Sequence, residues 1–407
     1  MYSRLIWMGI SLLLLATGQG VAETPIKPAT MSLMNGRLDG DGADLLRAKL
    51  PDAQFILIGE DHGFADSPEI ALALAREARP YNVVHHVIEI GPRTDALVSG
   101  ILEGGDEVDL SAFLTGRPLA VPFANMAEDA RLADYFVDEA NTGSDPLWGV
   151  DQEFLGSTLI YLETLVAMAP SPDAAALART RLDTERQAFA TGNLGALFLM
   201  SAAPEDFASL HAAFSGNAEA EALIKELSES AEIYALYGRG ANYASNAKRV
   251  ALIRRQFLDA YRAAPGPAPR ALFKMGASHL GLGTGPLNTF DLGSFTEGIA
   301  AANGLDVLRI VFVPLAGLQT KTNPAAEGAF ETASYRSEDI SALLAAAGIS
   351  EASIPVDEYA VIPLAELRVG LEQPGLRALS PENRFIVLGY DYLVTTRGAR
   401  PSTPLAR

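Results

Sequence analysis

At 407 residues, half of them apolar and a fifth charged, the chain is long enough for one large domain or two ordinary ones and does not have the composition of a disordered protein. A formal charge of −19 argues against nucleic acid or an anionic membrane surface as partner, since either would repel the average surface. The absence of cysteine excludes disulfides, thiolate metal sites, a cysteine nucleophile and a lipidated cysteine.

In chain order, residues 1–22 read as a secretory signal peptide. Arg4 is the basic flank, Leu12 to Leu15 lie in the apolar stretch, and Gly20, Val21 and Ala22 offer a small-residue cleavage site. The apolar run is short for a bilayer span of roughly 20 residues. A periplasmic or secreted protein without a stable membrane span follows as the expectation. Residues 23–43 are mixed in pattern, with turn chemistry at Asp39 to Gly42, and a short helix is expected over 44–50.

The sequence FILIGEDHGFADSPE, residues 55–69, reads as a buried strand, a polar turn and a helix start. Phe55 to Ile58 form a continuous apolar run, Gly59 closes it, and Glu60, Asp61 and His62 follow together. Asp66 is the candidate helix cap, with a helix to about residue 79. A second strand over 83–90 ends in Glu89, for which Arg93 is a candidate ion-pair partner. A third, over 147–151, ends in Asp151. Helices are expected over 94–103 and 126–140. Three strands that each deliver an acid near their carboxyl end, alternating with helices, predict a largely parallel sheet, with its ligands at that edge.

From 154 to about 264 the pattern becomes Ala- and Leu-rich without strands and predicts helices over 158–168, 172–191, 204–214, 218–237 and 243–262. The expected architecture is a single α/β domain over 23–407: a largely parallel central sheet with flanking helices and this helical insertion over its carboxyl edge. A fourth strand, 271–275, leads into a Gly-rich loop carrying His279. The loop's spacing matches neither GxGxxG nor a Walker loop. A helix around 295–302, a strand over 307–314, a helix over 338–347 and late strands over 359–363 and 385–396 complete the prediction.

Of the five histidines, His85 and His86 fall inside a strand and His211 inside an Ala-rich helix, so packing or surface roles are expected for them. His62 and His279 each follow a strand. With Glu60, Glu89 and Asp151 they converge if the strands are neighbours. That set suits general-base hydrolysis, in which a carboxylate orients an imidazole that takes a proton from water. It equally suits a divalent metal held by His62, Glu60, Glu89 and His279. A purely structural ion-pair network is the third option. No Gly-x-Ser-x-Gly elbow is present.

These residues resemble the erythromycin-esterase-like and ChaN-like superfamily, across roughly 52–395. IGEDHG (58–63) resembles its opening Gly-Glu-…-His motif, VIEIGP its second-strand glutamate, and WGVDQEF its Gly-x-Asp strand end. Arg239, Tyr243, Ala244 and Asn246 resemble the esterase branch's helix pattern, and KMGASHLG its late histidine. FIVLGYDYLV resembles the closing strand with an Asp inside it. The resemblance implies an α/β fold with a helical insertion over a deep cleft. It also implies a hydrolase of ester or amide bonds in a small-molecule substrate. His62 would be the base, supported by Glu89, with His279 and Arg239 binding substrate or stabilising charge, and with Asp151 and Asn246 beside them. Only Asp61 separates Glu60 from His62, where esterase members have two residues. That spacing resembles the ChaN-like branch and implies, as the alternative, a haem- or divalent-metal-binding protein without turnover.

Overall fold

The computed structural model describes residues 26–117, 119–122, 124–139, 145–323, 326, 329–370 and 374–405; the expected signal peptide lies outside them. Eleven strands follow in chain order: β1 Ala29–Met34, β2 Arg37–Asp39, β3 Ala53–Glu60, β4 Val83–Ile88, β5 Leu147–Gly149, β6 Arg270–Gly276, β7 Asp306–Phe312, β8 Ala316–Thr322, β9 Phe330–Arg336, β10 Tyr359–Pro363 and β11 Tyr392–Thr395. Nine of them form one sheet in the order β2-β1-β10-β11-β7-β3-β6-β4-β5. From β11 to β5 every pairing is parallel, and β10, β1 and β2 extend the sheet with antiparallel pairings. β8 and β9 form a separate antiparallel hairpin. The protein is thus the expected α/β fold with a largely parallel sheet.

The apolar run of β3 is continuous because both of its faces are covered. Ile56 and Ile58 face one core, with Leu272 of β6, Ile310 of β7 and Ala71 and Leu74 of the helix Asp66–Ala78. Phe55 and Leu57, one residue out of phase, face the other, with Phe273, Met275, Val311 and Phe257 of the helix Asn242–Ala263. This two-residue alternation across a doubly covered sheet is what a central parallel strand requires. β3 pairs with β6 on one side and β7 on the other, which puts it in the middle of the parallel strands.

Between β5 and β6 the described chain is helical. The helices Ser157–Ala167, Pro172–Ala190, Pro204–Ala213 and Ala218–Gly238 share an apolar core of their own, including Leu162, Leu182, Leu210 and Leu227. The final helix of this stretch, Asn242–Ala263, instead packs on the sheet through Ile253 and Phe257. Among the described residues no helix is long and apolar enough to cross a membrane.

The structure corrects three expectations. Residues 385–396 are not one strand. Pro381–Gly389 is a helix, capped by Ser380, whose hydroxyl accepts the Asn383 N–H at 3.2 Å, and only Tyr392–Thr395 joins the sheet. Asp66 is not a cap but lies inside its helix, buried, accepting bonds from Tyr359, the Arg400 backbone and the Arg400 guanidinium. The early helix is Asp41–Arg47 rather than 44–50, because Gly40, at φ 96°, turns the chain three residues sooner. The hairpin β1–β2 and the hairpin β8–β9 had no signal strong enough to predict them, since both are short or half exposed and alternate weakly.

Candidate active site

The parallel register decides which side chains meet. Glu60 is level with Gly276 at the end of β6, and Ile88 is level with Lys274 of β6 and Gly149 of β5. The residues immediately beyond these positions, His62, Glu89, Asp151 and His279, therefore emerge along one edge. His62 is turned into that edge by the loop after β3. Gly63 has φ 90°, and a Cβ there would lie 2.1 Å from the Thr320 carbonyl oxygen, so only glycine lets the loop dock on the β8–β9 hairpin. The hairpin holds it further through Gln319, which donates to the His62 carbonyl at 2.8 Å, and through the Thr320 N–H, which donates to the Gly63 carbonyl at 2.9 Å. Asp61, the single residue between Glu60 and His62, points the other way and accepts the Tyr335 hydroxyl of β9 at 2.7 Å.

Two imidazole–carboxylate pairs face each other across Glu89. His62 Nδ1 lies 2.8 Å from Glu60 Oε1, and its Nε2 lies 3.8 Å from Glu89 Oε2. His279, on the one-turn helix Ala277–Leu280, places Nδ1 2.7 Å from Asp291 Oδ2 and Nε2 3.5 Å from Glu89 Oε1. Glu89 also accepts the Gly276 N–H at 2.7 Å and the Arg249 guanidinium at 2.9 Å. Arg249 reaches on to Asp151, with Nε 2.9 Å from Oδ1 and Nη2 against Oδ2. On the far side of Glu60, Lys274 Nζ sits 2.7 Å from Glu60 Oε1 and 2.6 Å from Asp129 Oδ1.

These contacts set the protonation states. Burial alone would raise the Glu89 carboxyl, but His279, His62 and Arg249 hold it ionised, down to about 2. Burial works the same way on Glu60 and is likewise outweighed by Lys274 and His62, so Glu60 lies below its ordinary range. Burial disfavours the charged imidazole of His62, yet Glu60 and Glu89 raise it above its ordinary value. His279 is also raised. Burial and Arg249 oppose its charge, while Glu89 and Asp291 favour it more strongly. Burial pushes Asp129 up to about 6 despite Lys274. The two pairs differ in access: the His62 side chain is 40% exposed and that of His279 only 3%.

A cavity of about 430 Å³ opens over this cluster, with His62, Glu89, Asp151, Asn246, Arg249 and His279 in its walls. The structure therefore brings together six of the seven residues predicted from sequence: Glu60, His62, Glu89, Asp151, Asn246 and His279. Arg239 is not among them. The helix ending at Gly238 and the turn at Gly240 (φ 75°) leave it exposed at a helix end, and it does not line the cavity. Arg249 occupies the arginine position instead, because Ser245, Asn246 and Arg249 share one face of the helix Asn242–Ala263 at three- and four-residue spacing. Arg93 does not pair with Glu89 either; its Nε donates to Glu226 at 3.1 Å.

Sequence reasoning missed Arg249, Lys274, Asp129 and Asp291. Lys274 alone had a usable signal, a cation inside the apolar run of β6; the side chain is 4% exposed and doubly paired. Asp291 reads from sequence only as a helix cap, a role it also fills by accepting the Leu292 N–H at 2.7 Å. His85 and His86 are packing residues as expected. His85 stacks on Trp148 at 4.4 Å and His86 on Phe136 at 5.3 Å, and burial lowers both. His211 is exposed on its helix.

The donor set does not fit a divalent cation. Of the four residues that would hold one, Glu60 is already neutralised by Lys274 and Glu89 by Arg249, and an added dication would lie against both. Among the described residues no group of three or more His, Asp or Glu is disposed to hold a metal ion.

No family model matches the sequence, and no curated protein matches it. Three solved structures share its fold. An erythromycin esterase mutant in its open conformation superposes on 91% of this chain and 97% of its own, with a TM-score of 0.57 at 12% identity. A succinoglycan biosynthesis protein covers 92% of this chain and 95% of its own, with a TM-score of 0.52 at 13% identity. A protein from Bacillus cereus covers 92% and 96%, with a TM-score of 0.53 at 13% identity.

Proposed function

We propose that the protein is an exported, periplasmic or secreted hydrolase of the erythromycin-esterase type, which uses His62 to direct water onto an ester or amide bond of a small molecule. The observation that carries this reading is the setting of His62. A buried carboxylate, itself pinned by Lys274, fixes one ring nitrogen, while the other turns into an open cavity beside Glu89. The motif order along the chain and the fold shared with an erythromycin esterase support it.

Glu60 accepts the Nδ1 proton, which holds His62 in the tautomer whose Nε2 can take a proton. A water in the cavity gives its proton to Nε2 as its oxygen bonds to the carbonyl carbon. The carbonyl oxygen becomes an oxyanion, and Arg249 and protonated His279 lie on the cavity wall where they can face it. Collapse breaks the bond to the leaving oxygen or nitrogen, which receives the proton from His62. Acid and alcohol, or acid and amine, are the products. Glu89 stays ionised throughout and orients both imidazoles.

The test is an ester and amide panel assayed with purified protein, with and without chelator, beside the His62→Ala variant. Turnover that survives chelation and disappears in the variant is the expected result. Undiminished turnover by His62→Ala would refute the assignment.

A further inference from the structure

His62 stands between two cavities rather than in one. Adjoining the first cavity is a second, of about 210 Å³, which shares with it His62 and Phe154. Its apolar walls are Phe64, Leu119, Pro122, Met126, Phe154 and Phe330. Glu60, Asp129 and Lys274 also line it, with the Lys274 ammonium held between the two carboxylates.

The walls come from six separate stretches, four of which are fastened to one another. The Ala65 N–H donates to the Arg400 carbonyl at 2.9 Å, the Ala127 N–H to the Thr403 carbonyl at 2.8 Å, and the Leu405 N–H to the Asn125 carbonyl at 2.9 Å. The β8–β9 hairpin is tied to the loop of His62 through Thr320 and Gln319. Walls tied to one another in this way restrict what can enter, which is the condition for selecting a substrate by volume.

We infer that this chamber is the acyl subsite of the hydrolase, and that the substrates are esters of a compact apolar acid, about the size of a phenylacetyl group, with a polar alcohol. The inference rests on the hydrolase reading given above. Size sets the first limit. A cavity of about 150 Å³ is enough to take up benzene, so this one accepts a benzene-sized group with a short link to the carbonyl but not a long chain or a fused ring system. Polarity sets which side of the ester enters. The larger cavity, of about 430 Å³, has room for a polar alcohol beside Asp151, Asn246 and Arg249, and His62, which lines both cavities, can give the leaving oxygen its proton there. Among the described residues of the chamber the cation is Lys274, already committed to two carboxylates. The alcohol therefore departs through the charged cavity and the acyl group stays in the apolar one. The step is ordinary ester hydrolysis: the acyl carbon gains the water oxygen, loses the alcohol oxygen, and one proton passes through His62 to the alcohol.

The experiment compares glycerol esters of acetic, phenylacetic and dodecanoic acids on wild type, Met126→Trp, which fills the chamber, and Phe330→Ala, which enlarges it. Binding of the phenylacetyl ester is followed in parallel by calorimetry on wild type, Met126→Trp and His62→Ala. Wild type is expected to favour phenylacetyl over acetyl by roughly tenfold or more in kcat/KM, in line with what filling an apolar pocket gives. Met126→Trp is expected to collapse that ratio and Phe330→Ala to shift it toward the longer acid. Turnover with equal rates for acetyl and phenylacetyl esters, or ratios unmoved in both variants, overturns the subsite while leaving the hydrolase reading intact. Binding of the phenylacetyl ester that Met126→Trp weakens, with no turnover by wild type, refutes the hydrolase reading and keeps the chamber as a binding site. Neither binding nor turnover overturns both.

Discussion

The loops after β3 and β6 present the same chemical pair, an imidazole backed by a carboxylate, in two different surroundings. His62 with Glu60 opens to the cavity, whereas His279 with Asp291 is almost fully buried and shares Glu89 with Arg249. Both imidazoles are raised above their ordinary value by the same kind of balance: the carboxylates outweigh burial and a neighbouring cation, Lys274 at His62 and Arg249 at His279. Access separates their roles. A base must exchange protons with water, which suits the exposed ring, while a charge facing an oxyanion is worth more where water is excluded. The histidines in the middle of β4 complete the contrast. There burial outweighs what opposes it, lowering His85 despite Asp145 and taking His86 down to about 4.

The comparison can be broken most severely at His62. His62→Ala is expected to lower turnover by ~10²–10⁴-fold with an unchanged circular dichroism spectrum, and an equal or greater loss in His279→Ala with His62→Ala still active would reverse the roles. Lys274→Met comes next. It leaves Glu60 and Asp129 buried beside each other without their cation, and breaking a buried pair of this kind costs about 3–5 kcal/mol, to be read from denaturant unfolding. Glu60→Gln sharpens the comparison through pH. With Glu60 gone, burial at His62 is less opposed, so the acid limb of the pH–kcat/KM profile is expected to move to lower pH; an unmoved limb would assign that titration elsewhere. Stability should follow its own pH course. The folded values of His62 and His279 are raised, so their contribution is complete below the ordinary 6.5 and is lost as pH rises through the folded values. That of Glu89 is present above its ordinary 4.5 and is lost as pH falls toward about 2. Stability read from unfolding across this range should be greatest between about 4.5 and 6.5, while hydrolysis by neutral His62 should rise on the alkaline side of that window. The smallest effect is expected at Arg239→Ala, an exposed position, which should stay within about 0.5 kcal/mol of wild-type stability and retain wild-type turnover, in contrast to Arg249→Ala.

The parallel sheet and most helices were legible because their signals are local. An apolar run such as Phe55 to Ile58, closed by glycine, can hardly be anything but a buried strand, and the helices over 157–263 carry capping and periodicity within a few residues. The segment 385–396 misled because Phe385 to Leu388 is apolar enough for either state, and only Ser380 and Pro381 upstream start it as a helix. Glu60, His62, Glu89, Asp151 and His279 could be picked out since charge at the end of a buried strand is itself unusual.

The sequence by itself determined the strands, their acidic ends and the two histidines that follow them, because each depends on neighbours a few residues away. Only the tertiary structure decided which partners those residues take. Arg249 rather than Arg239 or Arg93 meets Glu89, Lys274 joins Glu60 to Asp129, and Asp291 backs His279, through contacts spanning 12 to 214 positions along the chain. Those pairings follow from strand register and from which face a helix turns to the sheet. Neither is written in any short stretch of residues, and together they make His62 the more exposed member of the two pairs and set a largely apolar chamber against it.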